Sequence, residues 1–347
     1  MATDVRRILH LVGSPVSAFY ADLSRLYARD CIDATSDASR YEFHIAHVEP
    51  GGGWTFPAGL DDDTIADSDR LSLADAITHI GALDIELMVP QMFCIPGMTH
   101  YRSLFDTLGV AYIGNEPAVM SMTADKAKAR AVVGSAGVAV PEGEVLRVGE
   151  HATLAPPAVV KPVDADNSLG VTLVLDPDDY PAALATAWKQ SGQALVERFV
   201  ELGREVRCGV IERNGELIAL PLEEYAMDRD SKPIRDAADK LRRDDDGEMH
   251  LVAKESTRAW IVDLDDPVTA RVHDVARRCH QALGCRDYGL FDFRIDPDGE
   301  PWFLEAGLYC SFARKSVISM MAAASGIELT DLFAGFVDRA LTTDGRS

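Results

Sequence analysis

The first third of the chain alternates short apolar runs with a segment of helical spacing. Apolar runs cover 5–12, 42–48, 84–89 and 110–113, and glycine, proline or asparagine residues follow each of them closely. Between the first two runs, the apolar residues of 19–31 recur every three or four positions, which is the period of an amphipathic helix. Strands that alternate with helices predict a parallel, doubly wound α/β sheet in this part of the chain.

The middle of the chain combines a charged helix with short strands. A helix is predicted over 122–136, with Thr123 as its N-cap residue. The apolar runs 157–161 and 194–199 predict strands, and the small polar residues of 164–171 predict a loop after the first of these. The middle segment therefore differs in character from the first third.

The last part of the chain is antiparallel and mixed. Asn214-Gly215, within 205–222, is a strong two-residue turn signal and predicts a hairpin. Residues 223–256 are polar and highly charged, and they predict a long loop that becomes ordered on binding. Further helices are predicted over 267–283, 313–325 and 328–340.

Two carboxylates interrupt the apolar runs on either side of a tight turn. The turn, 296–299, reads Asp-Pro-Asp-Gly, in which proline presets φ and glycine accepts a positive φ. With this turn as the loop, Asp292 faces position 303, and Glu305 lies two positions further along on the same face. Such diagonal neighbours are about 7–8 Å apart at the backbone, so the two carboxylates can share one cation.

These two carboxylates have a metal interpretation and a structural one. An ionised carboxylate in an apolar strand is costly unless it is paired or metal-bound. Mg²⁺ suits Asp292 and Glu305, because it is a hard ion held by one or two carboxylates together with substrate phosphates. The alternative is a pair of surface carboxylates on an edge hairpin, or ion pairs with Arg294 or Arg286.

Composition and charge argue against some classes of binding partner for this protein. The 347 residues carry a formal net charge of −22, which argues against nucleic acid or an anionic membrane as the main partner, since both need basic patches. Six scattered cysteines without a Cys-x-x-Cys pair fit a reducing compartment. No apolar run approaches the roughly 20 residues that span a membrane, and the N-terminus lacks an apolar signal core. The expected location is therefore cytoplasmic.

Three charged positions precede the carboxylate hairpin in a recognisable order. Lys126 lies in the first turn of a predicted helix, where a cation is unfavourable unless an anion is near; an exposed lysine is the alternative. Lys161 ends a strand before the small-residue loop, and Glu197 interrupts a later strand. This series resembles that of the ATP-grasp ligases, in particular their D-alanine–D-alanine ligase-like branch.

The resemblance implies an ATP-grasp fold, which is α/β and in part α+β, with three domains. These are an N-terminal parallel α/β pre-ATP-grasp domain (1–118), a central lid domain (119–200) and a C-terminal mixed-sheet catalytic domain (201–347). It also implies ATP and Mg²⁺ as cofactors, with Asp292 and Glu305 as the metal ligands. The protein is then expected to perform phosphoryl transfer by positioning and charge neutralisation.

The resemblance further supplies roles for single residues at the nucleotide. Two lysines reach the α- and β-phosphates, the small loop closes over the triphosphate, and a third lysine, Lys240, lies near the γ-phosphate. Strand 196–200 offers backbone groups to adenine, and Glu197 or Glu205 takes the amino group or the ribose. The implied ATP-binding residues are Lys126, Lys161, Asn167, Ser168, Glu197, Phe199, Val200, Glu205 and Lys240.

Two motif positions depart from the D-alanine ligases. Those enzymes show Arg-x-Asp and Glu-x-Asn on the two strands of the hairpin, whereas this chain has Leu290-Phe291-Asp292 and Glu305-Ala306-Gly307. These departures and the segment LEAGLYCSFA (304–313) resemble the ATP-grasp ligases that make mycosporine-like amino acids. This closer resemblance implies that ATP phosphorylates the ring carbonyl oxygen of mycosporine-glycine. The amine of a second amino acid, expected to be Ser or Thr, then displaces phosphate to give an imine such as shinorine or porphyra-334.

The same resemblance implies a site for the two small-molecule substrates. Ser316 opens a predicted helix and would hold the carboxylate of the incoming amino acid, although an N-cap role alone is equally compatible. Leu290 would form an apolar wall for the flat ring, which Tyr309 and Phe312 could flank, with core packing as the alternative. The implied substrate-binding residues are Arg235, Leu290, Tyr309, Phe312, Lys315 and Ser316, and the implied catalytic residues are Lys240, Arg294 and Ser316.

Two other functions stay open at this stage. One is a dipeptide or D-alanine–D-alanine ligase, and the missing arginine argues against this function. The other is a nucleotide-binding regulator that has lost catalysis, which the missing asparagine favours. The oligomeric state is also open, although this family often forms homodimers through the N-terminal domain.

Overall fold

The chain folds into two compact units. The computed structural model describes residues 5–165, 168–235, 242–243, 249–250 and 258–342. The first unit comprises 1–121, 286–288 and 309–347, and the second comprises 122–285 and 289–308. The predicted boundary at 118/119 lies close to the break after Ser121, whereas the one at 200/201 falls inside the second unit. The division into three domains stays a prediction.

The first unit is built around a five-stranded sheet. Its elements begin with β1 (Arg6–Gly13), α1 (Ala18–Thr35), β2 (Tyr41–Val48), β3 (Trp54–Thr55), α2 (Asp62–Ala66), α3 (Leu73–Leu83), β4 (Leu87–Pro90), a π-helical turn (Gly97–Tyr101), α4 (Arg102–Leu108), β5 (Ala111–Tyr112) and α5 (Pro117–Ala124). The strand order is β3-β2-β1-β4-β5, in which only the edge strand β3 is antiparallel. The predicted parallel α/β sheet is confirmed.

The central strand β1 is buried from Ile8 to Gly13 and is apolar there except for His10, because the sheet is covered on both faces. Ile8, Leu9, Leu11 and Val12 are completely buried, and each such side chain stabilises the fold by about 1.5–3 kcal/mol. Helix α1 begins where Ser17 accepts a hydrogen bond from the backbone N–H of Tyr20.

The described residues of the second unit form three sheets. Its elements are α6 (Lys126–Ser135), β6 (Gly143–Arg147), β7 (Ala158–Pro162), β8 (Thr172–Val174), a 3₁₀ turn (Pro177–Asp179), α7 (Tyr180–Trp188), β9 (Gln193–Arg198), β10 (Arg204–Arg213), β11 (Glu216–Ala219), β12 (Glu223–Tyr225), β13 (Arg242–Arg243), β14 (Met249–His250), β15 (Ala259–Ile261), α8 (Thr269–Leu283), β16 (Tyr288–Ile295) and β17 (Pro301–Ala306). One sheet has the order β6-β9-β7-β8, a second has β15-β12-β10-β16-β17 with β11 paired to β10, and β13 and β14 form a third sheet of two strands.

The chain returns to the first unit through two helices, α9 (Val317–Ala324) and α10 (Leu329–Thr342). The ring of Phe333 in α10 packs edge-on against Tyr41 of β2, with the ring centroids 5.7 Å apart. Within the described residues, no single helix is long and apolar enough to cross a bilayer; α9 and α10 together, bent by 111°, meet the length and composition test.

Two local predictions of the second unit were wrong and one was confirmed. The predicted helix 122–136 is two helices, because Asp125 rather than Thr123 caps α6 by accepting from the N–H groups of Ala127 and Lys128. The first residues of the predicted loop 223–256 form β12, which pairs with β15. The hairpin at Asn214-Gly215 is present, and both turn residues have the positive φ that a tight two-residue turn requires.

The hairpin of β16 and β17 has a different register from the predicted one. Ile295 pairs with Pro301, and a register shift between Asp292 and Phe293 then places Asp292 directly opposite Glu305. A bulge of this kind puts an extra residue on one strand and redirects the side chains beyond it. The two carboxylates are therefore direct cross-strand partners and not diagonal neighbours, which brings them closer together than expected.

Candidate active site

A polar cleft lies in the second unit. Residues of α6, β7, the end of β9, β16 and β17 line about 780 Å³ of empty space, part of it open to solvent. Eleven of the residues implied by the sequence line the cleft: Lys126, Lys161, Ser168, Glu197, Phe199, Val200, Glu205, Arg235, Asp292, Arg294 and Glu305.

Two lysines reach the cleft from neighbouring elements. Lys126 is the first residue of α6, and its Nζ lies 2.5 Å from the carbonyl oxygen of Ala165 and 3.5 Å from Oε2 of Glu305. Lys161 lies near the end of β7, and its Nζ is 2.5 Å from Oε2 of Glu197. Their side chains are only 10% and 9% exposed, so both cations are held near a cavity and not in bulk water. This arrangement can bind a polyphosphate chain.

The carboxylate of Glu197 is paired with two cations and is not a free anion in the cleft. Besides Lys161, it is 3.0 Å from Nε of Arg130, and its side chain is 4% exposed. Each carboxylate oxygen therefore has one cationic partner, and the contact of Glu197 with the adenine amino group or the ribose stays a prediction. Sequence reasoning missed Arg130, although its position four residues after Lys126 places it on the same face of the helix.

Five alternating charges run along the other wall of the cleft. Arg294 Nη2 is 2.5 Å from Glu205, Arg235 Nε is 2.5 Å from the other oxygen of Glu205, and Arg235 Nη2 is 3.1 Å from Asp292. Arg207 then binds both oxygens of Asp292, at 2.5 and 2.8 Å. Glu205 and Asp292 are each 3% exposed, so these carboxylates depend on their guanidinium partners.

The partners of Glu205 decide its protonation. Burial by itself would raise the pKa of this carboxyl, but the guanidiniums of Arg235 and Arg294 outweigh burial and hold the pKa below its ordinary value. Glu205 is therefore an anion at neutral pH. Arg294 also contacts the carbonyl oxygen of Val200 at 3.3 Å, and its guanidinium lies 5.4 Å from the ring centre of Phe199.

One interpretation of the arginines was wrong, and one predicted role stays a prediction. Arg294 lines the cleft, is 5% exposed and is held by Glu205 and by the Val200 carbonyl, so it orders the wall of the cleft, and its catalytic role stays a prediction. The ion pairs of Asp292 are with Arg207 and Arg235, and not with Arg294 or Arg286. These partners are distant in sequence, which is why spacing could not reveal them.

Asp292 and Glu305 fit a magnesium ion in the chemistry of their donors. They face each other on adjacent strands and offer the hard carboxylate oxygens that Mg²⁺ prefers. Asp292 already accepts three hydrogen bonds, of the roughly four that a carboxylate can take, so coordination capacity remains. Among the described residues, no group of three or more metal-binding side chains occurs, so phosphate and water oxygens would have to complete the shell.

Ser316 lies in the first unit, at the N-cap position of α9. Its hydroxyl makes no capping hydrogen bond and instead lies 2.7 Å from the hydroxyl of Ser319. The capping role that was weighed as the alternative is therefore not the one observed. The proposed contact with a substrate carboxylate stays a prediction.

The remaining predicted substrate residues have different environments. Phe312 is fully buried in an aromatic cluster of the first unit, so its prediction as a substrate contact is wrong, and core packing explains it. Leu290 is 5% exposed and is not among the residues lining the cleft. Tyr309 is 38% exposed and Lys315 is exposed, and both lie in the first unit. Asn167 and Lys240 lie outside the described residues.

Comparison with known proteins decides the family. The family model described as "D-ala D-ala ligase C-terminus" matches residues 141–338, which is more than half of the chain. The chain belongs to the D-Ala–D-Ala ligase family. Its fold is the ATP-grasp fold of these ligases, and as a family member it is an ADP-forming C–N ligase that uses ATP and Mg²⁺.

Individual members of this family are similar over most of the chain. A D-alanine–D-alanine ligase of Bordetella petrii is 29% identical over 69% of this chain and 71% of its own length. The crystal structure of the VanG D-Ala:D-Ser ligase of Enterococcus faecalis superimposes with a TM-score of 0.79 at 18% identity, covering 97% of this chain and all of the other. The D-alanine–D-alanine ligase of Bacillus anthracis complexed with ATP gives a TM-score of 0.71 at 20% identity, covering 98% of this chain and 99% of the other.

Proposed function

We propose that this D-Ala–D-Ala ligase family member condenses two amino-acid-like substrates in the manner of a dipeptide ligase. The γ-phosphoryl group of ATP passes to an oxygen of the first substrate, and the amine of the second displaces phosphate to form a C–N bond. The observation that carries the proposal is the cleft that joins Lys126, Lys161, Asp292 and Glu305. The family match and the names of the relatives support this class of reaction.

The proposed roles follow from charge and position. Lys126 and Lys161 bind phosphate oxygens, and Glu197 with Arg130 keeps Lys161 in place. When bound, the magnesium ion supplies charge neutralisation at the phosphates, and Asp292 and Glu305 hold it. Glu205 is proposed to contact the ribose. Small-molecule substrates and a cytoplasmic location agree with these roles, and a homodimer stays a prediction.

A second candidate is the condensation of an amino acid, Ser or Thr, with mycosporine-glycine. One observation favours it: Leu290 and Gly307 stand where D-alanine ligases have an arginine and an asparagine. The backbone N–H of Gly307 donates to the carbonyl oxygen of Leu290 at 2.7 Å, so the two positions are neighbours and neither provides a polar side chain. An oxyanion donor is worth about 3–4 kcal/mol to acyl transfer, whereas a conjugated ring can spread its developing charge.

One assay separates these candidates. The protein is incubated with ATP and Mg²⁺ and either D-alanine alone, pairs of D-amino acids, or mycosporine-glycine with a panel of amino acids. ADP release is measured and products are identified by mass spectrometry, with ultraviolet absorption reporting an imine. ADP release with D-amino acids supports the first proposal, and release only with mycosporine-glycine supports the second. Nucleotide binding without turnover on any substrate pair contradicts both and supports a regulator.

A further inference from the structure

Arg235 connects the two carboxylates that the proposed nucleotide site needs. Its Nε contacts Glu205 and its Nη2 contacts Asp292, and the side chain is 10% exposed. The guanidinium also lies over the ring of Tyr225, 3.9 Å from the ring centre. This one cation therefore neutralises a candidate ribose contact and a candidate metal ligand at the same time.

A divalent cation beside Asp292 would meet two guanidiniums. Arg207 binds Asp292 through two nitrogens, at 2.5 and 2.8 Å, whereas Arg235 contributes one contact of 3.1 Å. Like charges in a partly desolvated cleft repel strongly, so one of the three cations has to move. The single longer contact of Arg235 is the weaker of the two attachments and is the one expected to break.

We propose that Arg235 is a positioning residue that takes the place of the divalent cation beside Asp292 while the cleft holds no nucleotide. Binding of the metal–nucleotide complex displaces its guanidinium from Asp292. The inference rests on the proposed function, because it takes Asp292 as a metal ligand. The displaced guanidinium is then available for an anionic group of the second substrate, so metal–nucleotide binding precedes productive binding of that substrate.

The test measures metal binding without nucleotide and without turnover. Mn²⁺ is titrated into the nucleotide-free protein, and free Mn²⁺ is followed by electron paramagnetic resonance. Arg235→Met removes the competing cation, so its Mn²⁺ affinity should exceed that of the wild type by about tenfold, the value of one hydrogen bond to a charged group. Arg204→Met is the matched control, because Arg204 binds Glu224 and Asp266, which are not among the cleft-lining residues. Its Mn²⁺ affinity should equal that of the wild type.

A second variant covers the case in which Arg235→Met does not fold. Arg235→Lys keeps the charge but replaces the planar guanidinium, whose Nε and Nη2 each contact one carboxylate, by a single ammonium group that holds Asp292 less firmly, so its Mn²⁺ affinity should rise by about threefold. Unchanged or weaker Mn²⁺ binding in the folded variants overturns the inference, as does an equal rise in Arg204→Met. Calorimetric titration with Mg²⁺ and ADP tests the proposed nucleotide site separately, so a failure there is distinguishable from a failure of the Arg235 inference.

Discussion

Glu197 provides the sharpest test of how the cleft is held together. The Glu197→Gln variant keeps the shape of the side chain but removes the charge between Lys161, at 2.5 Å, and Arg130, at 3.0 Å. All three side chains are at most 14% exposed, so the two cations lose a partner that water cannot replace. Breaking a buried ion pair costs about 3–5 kcal/mol, and the lower value applies here because the amide oxygen still accepts a hydrogen bond.

The measurement is thermal unfolding with and without ligand. A loss of about 3 kcal/mol in the free energy of unfolding lowers the melting temperature of a domain of about 150–250 residues by about 6–12 °C. Saturating ADP with Mg²⁺ should raise the melting temperature of the variant more than that of the wild type, because phosphate can pair with the cation that Glu197 no longer neutralises.

The matched control is Glu142→Gln. Glu142 is 66% exposed and binds Arg198 at 2.6 Å, and a surface ion pair of this kind is worth at most about 1 kcal/mol. Equal melting temperatures of Glu197→Gln and the wild type would refute the reasoning, and so would an equal ligand-induced shift in the two proteins.

Three further predictions concern single positions. Ser316→Ala should raise KM for the incoming amino acid by about tenfold with little effect on KM for ATP; an unchanged amino-acid KM removes Ser316 from the site. Under the second candidate function, Leu290→Arg should lower turnover with mycosporine-glycine by about tenfold, and full activity of the variant contradicts the proposal that Leu290 forms an apolar wall for the ring. Because the pKa of Glu205 is lowered by folding, its stabilising effect is complete above its ordinary pKa and is lost as pH falls through the lowered value. Acid titration of unfolding should therefore be shallower for Glu205→Gln, and an identical pH profile counts against this assignment.

Patterns along the chain predicted the parallel sheet and several strands, and the family resemblance supplied the residues of the cleft, but neither revealed the contacts between those residues. Apolar runs and turn residues identified β1, β2 and the Asn214-Gly215 hairpin, because these signals are local. The register of β16 and β17 was wrong, since a bulge next to Asp292 leaves no mark in residue types. The sequence analysis predicted Thr123 as the N-cap residue, whereas Asp125, an equally good residue for this position, caps α6 in the structure.

Long-range partners explain the other differences. Arg207 and Arg235 reach Asp292 from 85 and 57 residues away along the chain, and no spacing rule connects them. The resemblance made Phe312 a candidate substrate contact, with core packing as the alternative, and its ring packs with Phe333 and Phe336 of α10. Charge pairing and aromatic packing of this kind are decided by the tertiary fold.

The first unit is discontinuous in sequence, and this affects how the chain folds during synthesis. Residues 6–112 supply its sheet, but α9 and α10 are made only after the whole second unit has been translated. Until then, the ring of Phe333 in α10 is not available to cover Tyr41 and Phe43, which it contacts in the folded protein. The second unit is almost continuous in sequence, so it can fold while translation continues. The sheet of the first unit is made earlier, and its apolar surface stays exposed to chaperones until α9 and α10 have been made.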